Sequence, residues 1–272
     1  MLRRSVGFVN RAVPGLGYFA SRRWFEYISS RDSGRDMLFM NYGFAPLADD
    51  APLNLRSEDA EHRYFIQLYH HVASAIDLRG QDVLEVGCGR GGGTAYVARY
   101  LQPRSILGVD LAANAIAFCN SHYRLDGLRF ERGDAQDLPF PDASFDALLN
   151  VESSICYPDV PRFFSEVVRL LRPGGHFLYA DIRNREELAG WAEQLAATGL
   201  ELLEEENITP NVLRALELDS ERKQALIDRQ VPLLLRRTFK EFAGLQGSDF
   251  FYGAFANGEK VYKRFLFRRP VD

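Results

Sequence analysis

The stretch Val83-Leu84-Glu85-Val86-Gly87-Cys88-Gly89-Arg90-Gly91-Gly92-Gly93 decides the fold, because a short β-branched run stops there at a cluster of glycines. Glycines at such a point let the backbone turn tightly and approach a ligand without a side-chain clash. The residues that follow are typical of a helix start, where free N–H groups point outward. The pattern Gly87-x-Gly89-x-x-Gly92 also matches the dinucleotide-binding motif, which alone is weak evidence.

Further short apolar runs follow the glycine cluster, and most of them stop at a polar residue. They lie at residues 106–109, 128–131, 145–149 and 176–180, with helical patterns between them. Strands that alternate with helices through short connections predict a parallel, doubly wound sheet. Two more strands are predicted at residues 200–203 and 260–267. The sequence therefore predicts the α/β class, with a mostly parallel, seven-stranded sheet.

Carboxylates fall at three successive strand ends, where ligands of doubly wound sheets bind. They are Glu85, Asp110 and Asp134. A carboxylate just before the glycine loop would repel a pyrophosphate, but it suits S-adenosylmethionine, which carries an ammonium and a sulfonium and no phosphate. In strand order the three carboxylates match the amine, the ribose hydroxyls and the adenine amino group. Taken singly, Asp110 and Asp134 fit equally well as helix caps or turn residues.

Several segments together resemble the class I S-adenosylmethionine-dependent methyltransferases. They are residues 84–89, 108–111, 133–140 and 171–175. More narrowly, the chain resembles the phthiotriol dimycocerosate methyltransferases and related lipid O-methyltransferases. That likeness is carried by residues 41–42, 68–70, 150–152, 156–158, 179–181 and 244–247. The resemblance implies a Rossmann-like fold, methyltransferase activity and S-adenosylmethionine as the cofactor.

The strand-end argument and the resemblance together predict the cofactor-binding residues. They are Tyr42, Glu85, Gly87, Cys88, Gly89, Asp110, Leu111, Asp134, Ala135, Asn150 and Val151. No metal site is predicted, because the three cysteines include no C-x-x-C pair.

The catalytic candidates follow from what methyl transfer requires. The donor is already activated, so the protein must align the acceptor and, for a hydroxyl, supply a base. Glu152, directly after the fourth strand, is the first candidate for the base, and His70 is the second. Asp181 and Tyr157 are candidates for orienting the base or the substrate. The lipid methyltransferases carry a histidine where this chain has Ile155, so the resemblance does not identify the base. Each candidate also has a structural alternative, such as capping or packing of a helix.

Composition narrows the function classes. The 272 residues include 33 Lys and Arg against 37 Asp and Glu, a net charge of −4 that disfavours nucleic-acid binding. No apolar run approaches the ~18–20 residues that a membrane span needs. Polar residues interrupt the N-terminus, so no signal peptide is predicted and a cytoplasmic location is expected. Residues 1–35 carry seven arginines, which a solvated helix face or contact with an anionic membrane would explain.

The pattern predicts one methyltransferase domain over residues 1–272. A helical cap at 1–80 precedes the cofactor-binding core at 81–183, and 184–272 form a helical lid with the last strands. Aromatic residues in 1–70 and 210–256 would line an apolar acceptor pocket. The predicted reaction methylates a hydroxyl of a hydrophobic small molecule, such as a lipid, polyketide or other secondary metabolite. Carbon methylation of an isoprenoid, a non-methylating cyclase and a binding protein remain alternatives, and both a monomer and a homodimer fit.

Overall fold

Seven strands form a single sheet in the computed structural model, which describes residues 37–48, 53–249 and 251–271. The strands are β1 (Asp82–Val86), β2 (Ser105–Asp110), β3 (Leu128–Arg132), β4 (Phe145–Val151), β5 (Leu171–Asn184), β6 (Glu201–Asn207) and β7 (Lys260–Arg268). Their order across the sheet is β3-β2-β1-β4-β5-β7-β6. Strands β1 to β5 run parallel, and β7 is antiparallel to both β5 and β6. The predicted mostly parallel α/β sheet is confirmed.

Helices connect the strands and cover both faces of the sheet. The described helices are α1 (Arg63–Ala73), α2 (Gly92–Tyr96), α3 (Ala113–His122), α4 (Val160–Leu170), α5 (Leu188–Ala196), α6 (Thr209–Leu218), α7 (Ser220–Gln230), α8 (Leu233–Phe242) and α9 (Tyr252–Ala256). Four successive helices, α6 to α9, lie between β6 and β7, and the first three of them fall in residues 209–242, where the apolar pattern of residues 210–245 predicts helices. Of the N-terminal cap predicted at 1–80, residues 1–36 and 49–52 lie outside the described residues, and α1 lies in the described part.

Alternating strand residues divide the core into two layers, because successive side chains point to opposite faces. Val83 packs on one face with Leu68 of α1, whereas Leu84 packs on the other with Phe163 of α4. Each such fully buried side chain stabilises the fold by roughly 1.5–3 kcal/mol. Neither layer covers the carboxyl ends of β1, β2 and β4, so a ligand can enter at that edge of the sheet.

Two strands extend by four or more residues beyond a predicted end. Strand β5 begins at Leu171 rather than near residue 176, because Leu171 pairs with Phe145 before a shift in register. Strand β6 continues beyond the predicted residues through Glu204, Glu205 and Glu206, which lie along the outer edge of the sheet, the first two of them exposed. Basic side chains of β7 neutralise them, with Arg264 2.8 Å from the Glu204 carboxylate. In the described part of the chain, no helix is long and apolar enough to span a membrane.

Candidate active site

A cleft opens at the carboxyl ends of β1, β2 and β4, where the strand order reverses. Predicted cofactor residues that border it are Gly87, Cys88, Gly89, Asp110, Leu111, Asp134, Ala135 and Val151. Glu152 and Tyr157 border it too, and residues 38–41 lie along its rim. Among the described residues that border it, none comes from the insertion at 210–256, so an acceptor pocket there stays a prediction.

Gly87 brings the glycine loop against the end of β4. Its φ of +79° is left-handed, and a Cβ on it would lie 1.8 Å from the Ser153 hydroxyl oxygen. The Gly87 N–H donates to the carbonyl of Val109 at 2.7 Å, which fixes the loop to β2. A residue with a side chain would therefore be both strained and too large at this position.

Asp110 and Asp134 border the cleft while also bonding the local backbone. The Asp110 carboxylate accepts the N–H groups of Gly89 and Ala112, each at 2.9 Å, and burial raises its pKa. Asp134 accepts the N–H of Gln136 at 3.0 Å. A carboxylate has about four acceptor positions, so the turn role and a ligand role are compatible in both residues.

Glu85 does not border the cleft, although it was predicted to meet the cofactor. It is fully buried and accepts hydrogen bonds from the Tyr69 hydroxyl at 2.7 Å and the Thr94 hydroxyl at 2.5 Å. Burial raises its pKa to about 7. Tyr69 does border the cleft, so its hydroxyl links Glu85 to the cleft wall.

Glu152 follows β4 directly and adopts a left-handed φ of +51°, which is uncommon for a residue other than glycine. Its backbone N–H donates to the carbonyl of Ala180, and its Oε1 accepts the N–H of Tyr42, both at 2.9 Å. Loss of solvation raises its pKa to about 8, against the opposing effect of the Tyr42 N–H. The structure thus places a basic carboxyl in the wall of the cleft, on a backbone that orients it.

Asp181 lies behind this turn and not in the cleft. Fully buried, it accepts hydrogen bonds from the Ser154 hydroxyl and from the N–H of Ile155, the latter at 2.9 Å. The Arg183 guanidinium lies 3.3 Å away and neutralises its charge. Asp181 therefore holds the segment that follows Glu152.

Tyr157 and Asn150 link the cleft wall to β1. The Tyr157 hydroxyl lies 2.7 Å from the Ser153 hydroxyl and accepts a hydrogen bond from Asn150 at 3.1 Å. Asn150 is fully buried and donates to the carbonyl of Val86 at 2.8 Å. Of these two predicted site residues, only Tyr157 borders the cleft.

His70 faces away from the cleft lining. Its Nδ1 lies 2.8 Å from the Tyr96 hydroxyl, and burial lowers its pKa. Its neighbour Tyr69 occupies the cleft wall instead. Tyr42 was predicted to bind the cofactor but does not border the cleft. Its backbone N–H donates to Glu152, and its ring packs on Phe251 at 4.9 Å between ring centroids.

Sequence reasoning missed several residues of the cleft wall. They are Asn41, Tyr69, Ser153 and Cys156. Helical spacing could have identified Tyr69, because Phe65, Tyr69 and Val72 recur at the interval of one helix face, and His70 falls off that face. Ile155, which stands where the lipid methyltransferases have histidine, is 40% exposed and does not border the cleft. Among the described residues, no cluster of three or more His, Cys, Asp or Glu could hold a metal ion.

The fold and the strand-end cleft define the class I methyltransferase architecture, and comparisons with known proteins agree. Residues 84–179 match the family model described as a methyltransferase domain. The chain is 42% identical over 250 residues, 91% of each chain, to the phthiotriol/phenolphthiotriol dimycocerosates methyltransferase of Mycobacterium tuberculosis. It is 39% identical over 255 residues to the fatty-acid O-methyltransferase of Mycolicibacterium smegmatis, covering 93% of this chain and 91% of that one.

Solved structures share the fold at lower identity. The geranyl diphosphate C-methyltransferase from Streptomyces coelicolor A3(2) matches with a TM-score of 0.66 at 20% identity, over 94% of this chain and 99% of that one. The [4+2]-cyclase SpnF matches with a TM-score of 0.64 at 22% identity, over 90% and 92%. These likenesses show the fold alone. The two curated relatives show more: the chain belongs to the family of S-adenosylmethionine-dependent methyltransferases that resemble the phthiotriol dimycocerosate enzymes.

Proposed function

We propose that this methyltransferase transfers the methyl group of S-adenosylmethionine to an oxygen of a long-chain lipid, with a hydroxyl as the acceptor and Glu152 as its base. The observation that carries the proposal is the Glu152 carboxyl in the cleft wall with a pKa raised to about 8. A base works best when its pKa lies near the working pH. The two curated relatives, named for a lipid triol and for fatty acids, support a lipid acceptor.

When bound, S-adenosylmethionine would supply an activated methyl group, which the acceptor oxygen would take as the carbon–sulfur bond breaks and its electron pair stays on sulfur. The hydroxyl proton passes to the Glu152 carboxylate and then to solvent. Asp110 would accept the ribose hydroxyls, Asp134 would accept the adenine amino group, and Gly87, Cys88 and Gly89 would lie against the rest of the cofactor.

Orientation of the base would depend on one residue behind the cleft and one in its wall. Asp181, behind the cleft, would hold the segment after Glu152, and Tyr157, in the wall, would hold Ser153, so both would act as positioning residues. Residues 38–41, which border the cleft, would close one side of the cofactor. Aromatic residues in 1–70 and 210–256 would enclose the acceptor chain and exclude water.

The experiment that tests this function follows label from methyl-labelled S-adenosylmethionine. Purified enzyme is given a long-chain secondary alcohol, the matching fatty acid, or an isoprenoid diphosphate. Transfer to the alcohol supports the proposal, and transfer to the fatty acid alone would show that no base is needed. Transfer to isoprenoid carbon alone would reject an oxygen acceptor.

A further inference from the structure

Helix α8 begins with two leucines that face solvent. Leu233 is 78% exposed and Leu234 is 95% exposed, the highest value among the large apolar side chains of the described chain. The preceding Pro232 is also exposed. Single exposed apolar residues are ordinary on protein surfaces. Whether this pair forms a binding surface therefore depends on the residues around it.

Basic residues predominate around the two leucines. Residues 229–240 include Arg229, Arg236, Arg237 and Lys240, while the acidic residues Asp228 and Glu241 flank this stretch, in a chain whose net charge is −4. Arg237 follows Leu233 by four positions and Leu234 by three, so the three side chains share one face of the helix. Arg236 is already paired with Asp228 at 3.3 Å. An exposed apolar pair beside exposed basic charge complements an anionic lipid surface.

The other end of α8 reaches the surroundings of the cleft. The carbonyl of Ala243, just after the helix, accepts from Lys223 at 3.4 Å. At Gly244, a Cβ would lie 3.4 Å from the ring of Tyr42, whose N–H holds Glu152. At a rise of 1.5 Å per residue, α8 places its leucines about 15 Å from that point. A surface touching the leucines would therefore lie within the length of one lipid chain of the cleft.

We propose that the face of α8 formed by Leu233, Leu234 and Arg237 docks on an anionic lipid bilayer. The leucines enter the boundary of the acyl chains, and the guanidinium stays at the level of the lipid phosphates. The contact is peripheral and salt-sensitive, because the attraction of basic residues fades within a Debye length. The inference rests on the proposed function in one respect: docking would bring the cleft close to a lipid acceptor that is dissolved in the bilayer.

Co-sedimentation of the full chain with vesicles tests the docking. The vesicles are phosphatidylcholine alone, or phosphatidylcholine with about one third phosphatidylglycerol. Leu234→Asp is compared with Val271→Asp, which also replaces an exposed apolar side chain by aspartate. Val271 is 74% exposed and lies near Gly174, at the start of β5 and outside α8. Wild type and Val271→Asp are expected on the anionic vesicles, with Leu234→Asp at least about tenfold weaker. Arg237→Glu should weaken binding by about fivefold or more, since each basic residue contributes ~1 kcal/mol.

Several outcomes would overturn the docking proposal. They are no wild-type binding to anionic vesicles, equal binding of Leu234→Asp and Val271→Asp, or a dimer that Leu234→Asp dissociates without any change in vesicle binding. A short-chain, water-soluble alcohol separates docking from catalysis, because Leu234→Asp should methylate it at the wild-type rate. Vesicle binding without methylation of any acceptor would reject the proposed function and leave the docking standing.

Discussion

The backbone N–H of Tyr42 donates a 2.9 Å hydrogen bond to Oε1 of Glu152 across 110 residues of sequence. This bond joins the segment on the rim of the cleft to the end of β4 and points the carboxyl in a fixed direction. It also stabilises the ionised carboxylate, opposing the burial that raises the pKa of Glu152. The orientation and the basicity of Glu152 thus depend on the same contact.

Replacing the carboxyl by an amide tests the role of Glu152 as the base. Glu152→Gln keeps the shape and can still accept the Tyr42 N–H, but it cannot take a proton at neutral pH. We expect kcat with a long-chain alcohol to fall by about 10²–10⁴-fold. Calorimetry with S-adenosylhomocysteine should show the same affinity as wild type, because the amide preserves the fold of the cleft.

Two comparisons sharpen that test. Glu187→Gln removes a charge from an exposed capping residue just before α5, which does not border the cleft, and should leave kcat unchanged. A fatty acid is already ionised at neutral pH, so its methylation by Glu152→Gln should fall by less than about tenfold. Alcohol methylation within a few-fold of wild type would contradict the assignment of Glu152 as the base.

The pH dependence of the rate should differ between the two kinds of acceptor. The pKa of Glu152 lies at about 8 in the protein alone, and a bound sulfonium would lower it. With an alcohol, kcat/KM should therefore rise with pH and level off at or below about pH 8. With a fatty acid no such rise is expected, since an ionised Glu152 repels the acceptor. A flat alcohol profile in wild type would contradict the proposal.

Stability should depend on pH in the direction set by the raised carboxyl pKa values. Burial raises the pKa of Glu85 to about 7 and that of Glu152 to about 8, from an ordinary value of 4.5. The folded state therefore holds these protons more tightly, and their stabilisation is complete below about pH 4.5 and lost as pH rises through 7 to 8.

Urea unfolding between pH 5 and pH 8.5 measures that loss. Each carboxyl contributes at most about 1.4 kcal/mol per pH unit. Glu152→Gln should flatten the fall in the upper half of this range, above about pH 7. An identical slope in wild type and in Glu152→Gln would show that Glu152 does not titrate with a raised pKa.

The sheet and the glycine loop could be predicted from sequence because their signals are local. The short apolar runs and the glycines at 87–93 lie within a few residues of the structures that they form. The partners of individual side chains could not be predicted in the same way. Glu85 bonds Tyr69 rather than facing the cleft, and Asp181 bonds Ser154 and Ile155, contacts that exist only after α1 and β5 have packed.

Asp181→Asn tests whether the buried network positions Glu152. The change leaves the Arg183 guanidinium without its charged partner, which should lower the free energy of unfolding by about 3–5 kcal/mol. The Asp181 charge also raises the pKa of Glu152. The midpoint of the pH–rate profile should therefore move to lower pH, an effect that a purely structural role would not produce.

A surface aspartate provides the comparison for that variant. Asp142→Asn breaks a pair with Arg169 in which the Asp142 side chain is 78% exposed. Such exposed pairs contribute about 0–1 kcal/mol, so the variant should unfold almost like wild type. An unmoved pH–rate midpoint in Asp181→Asn, with kcat intact, would contradict a positioning role.

Gly93→Ala tests the close packing behind the glycine loop. A Cβ at this position would lie 1.9 Å from the Tyr69 ring, whose hydroxyl bonds the buried Glu85 at 2.7 Å. The ring must move and Glu85 loses a donor, so the free energy of unfolding should fall by about 1–3 kcal/mol. Because Tyr69 borders the cleft, the affinity for S-adenosylhomocysteine should fall about tenfold or more.

In contrast, an alanine Cβ at Gly190 in α5 would meet nothing within 4 Å, so Gly190→Ala should stabilise the protein by about 0.5–1 kcal/mol. Urea unfolding and calorimetry on both variants decide the point: equal stability and equal affinity would show that the Tyr69 ring moves aside without cost.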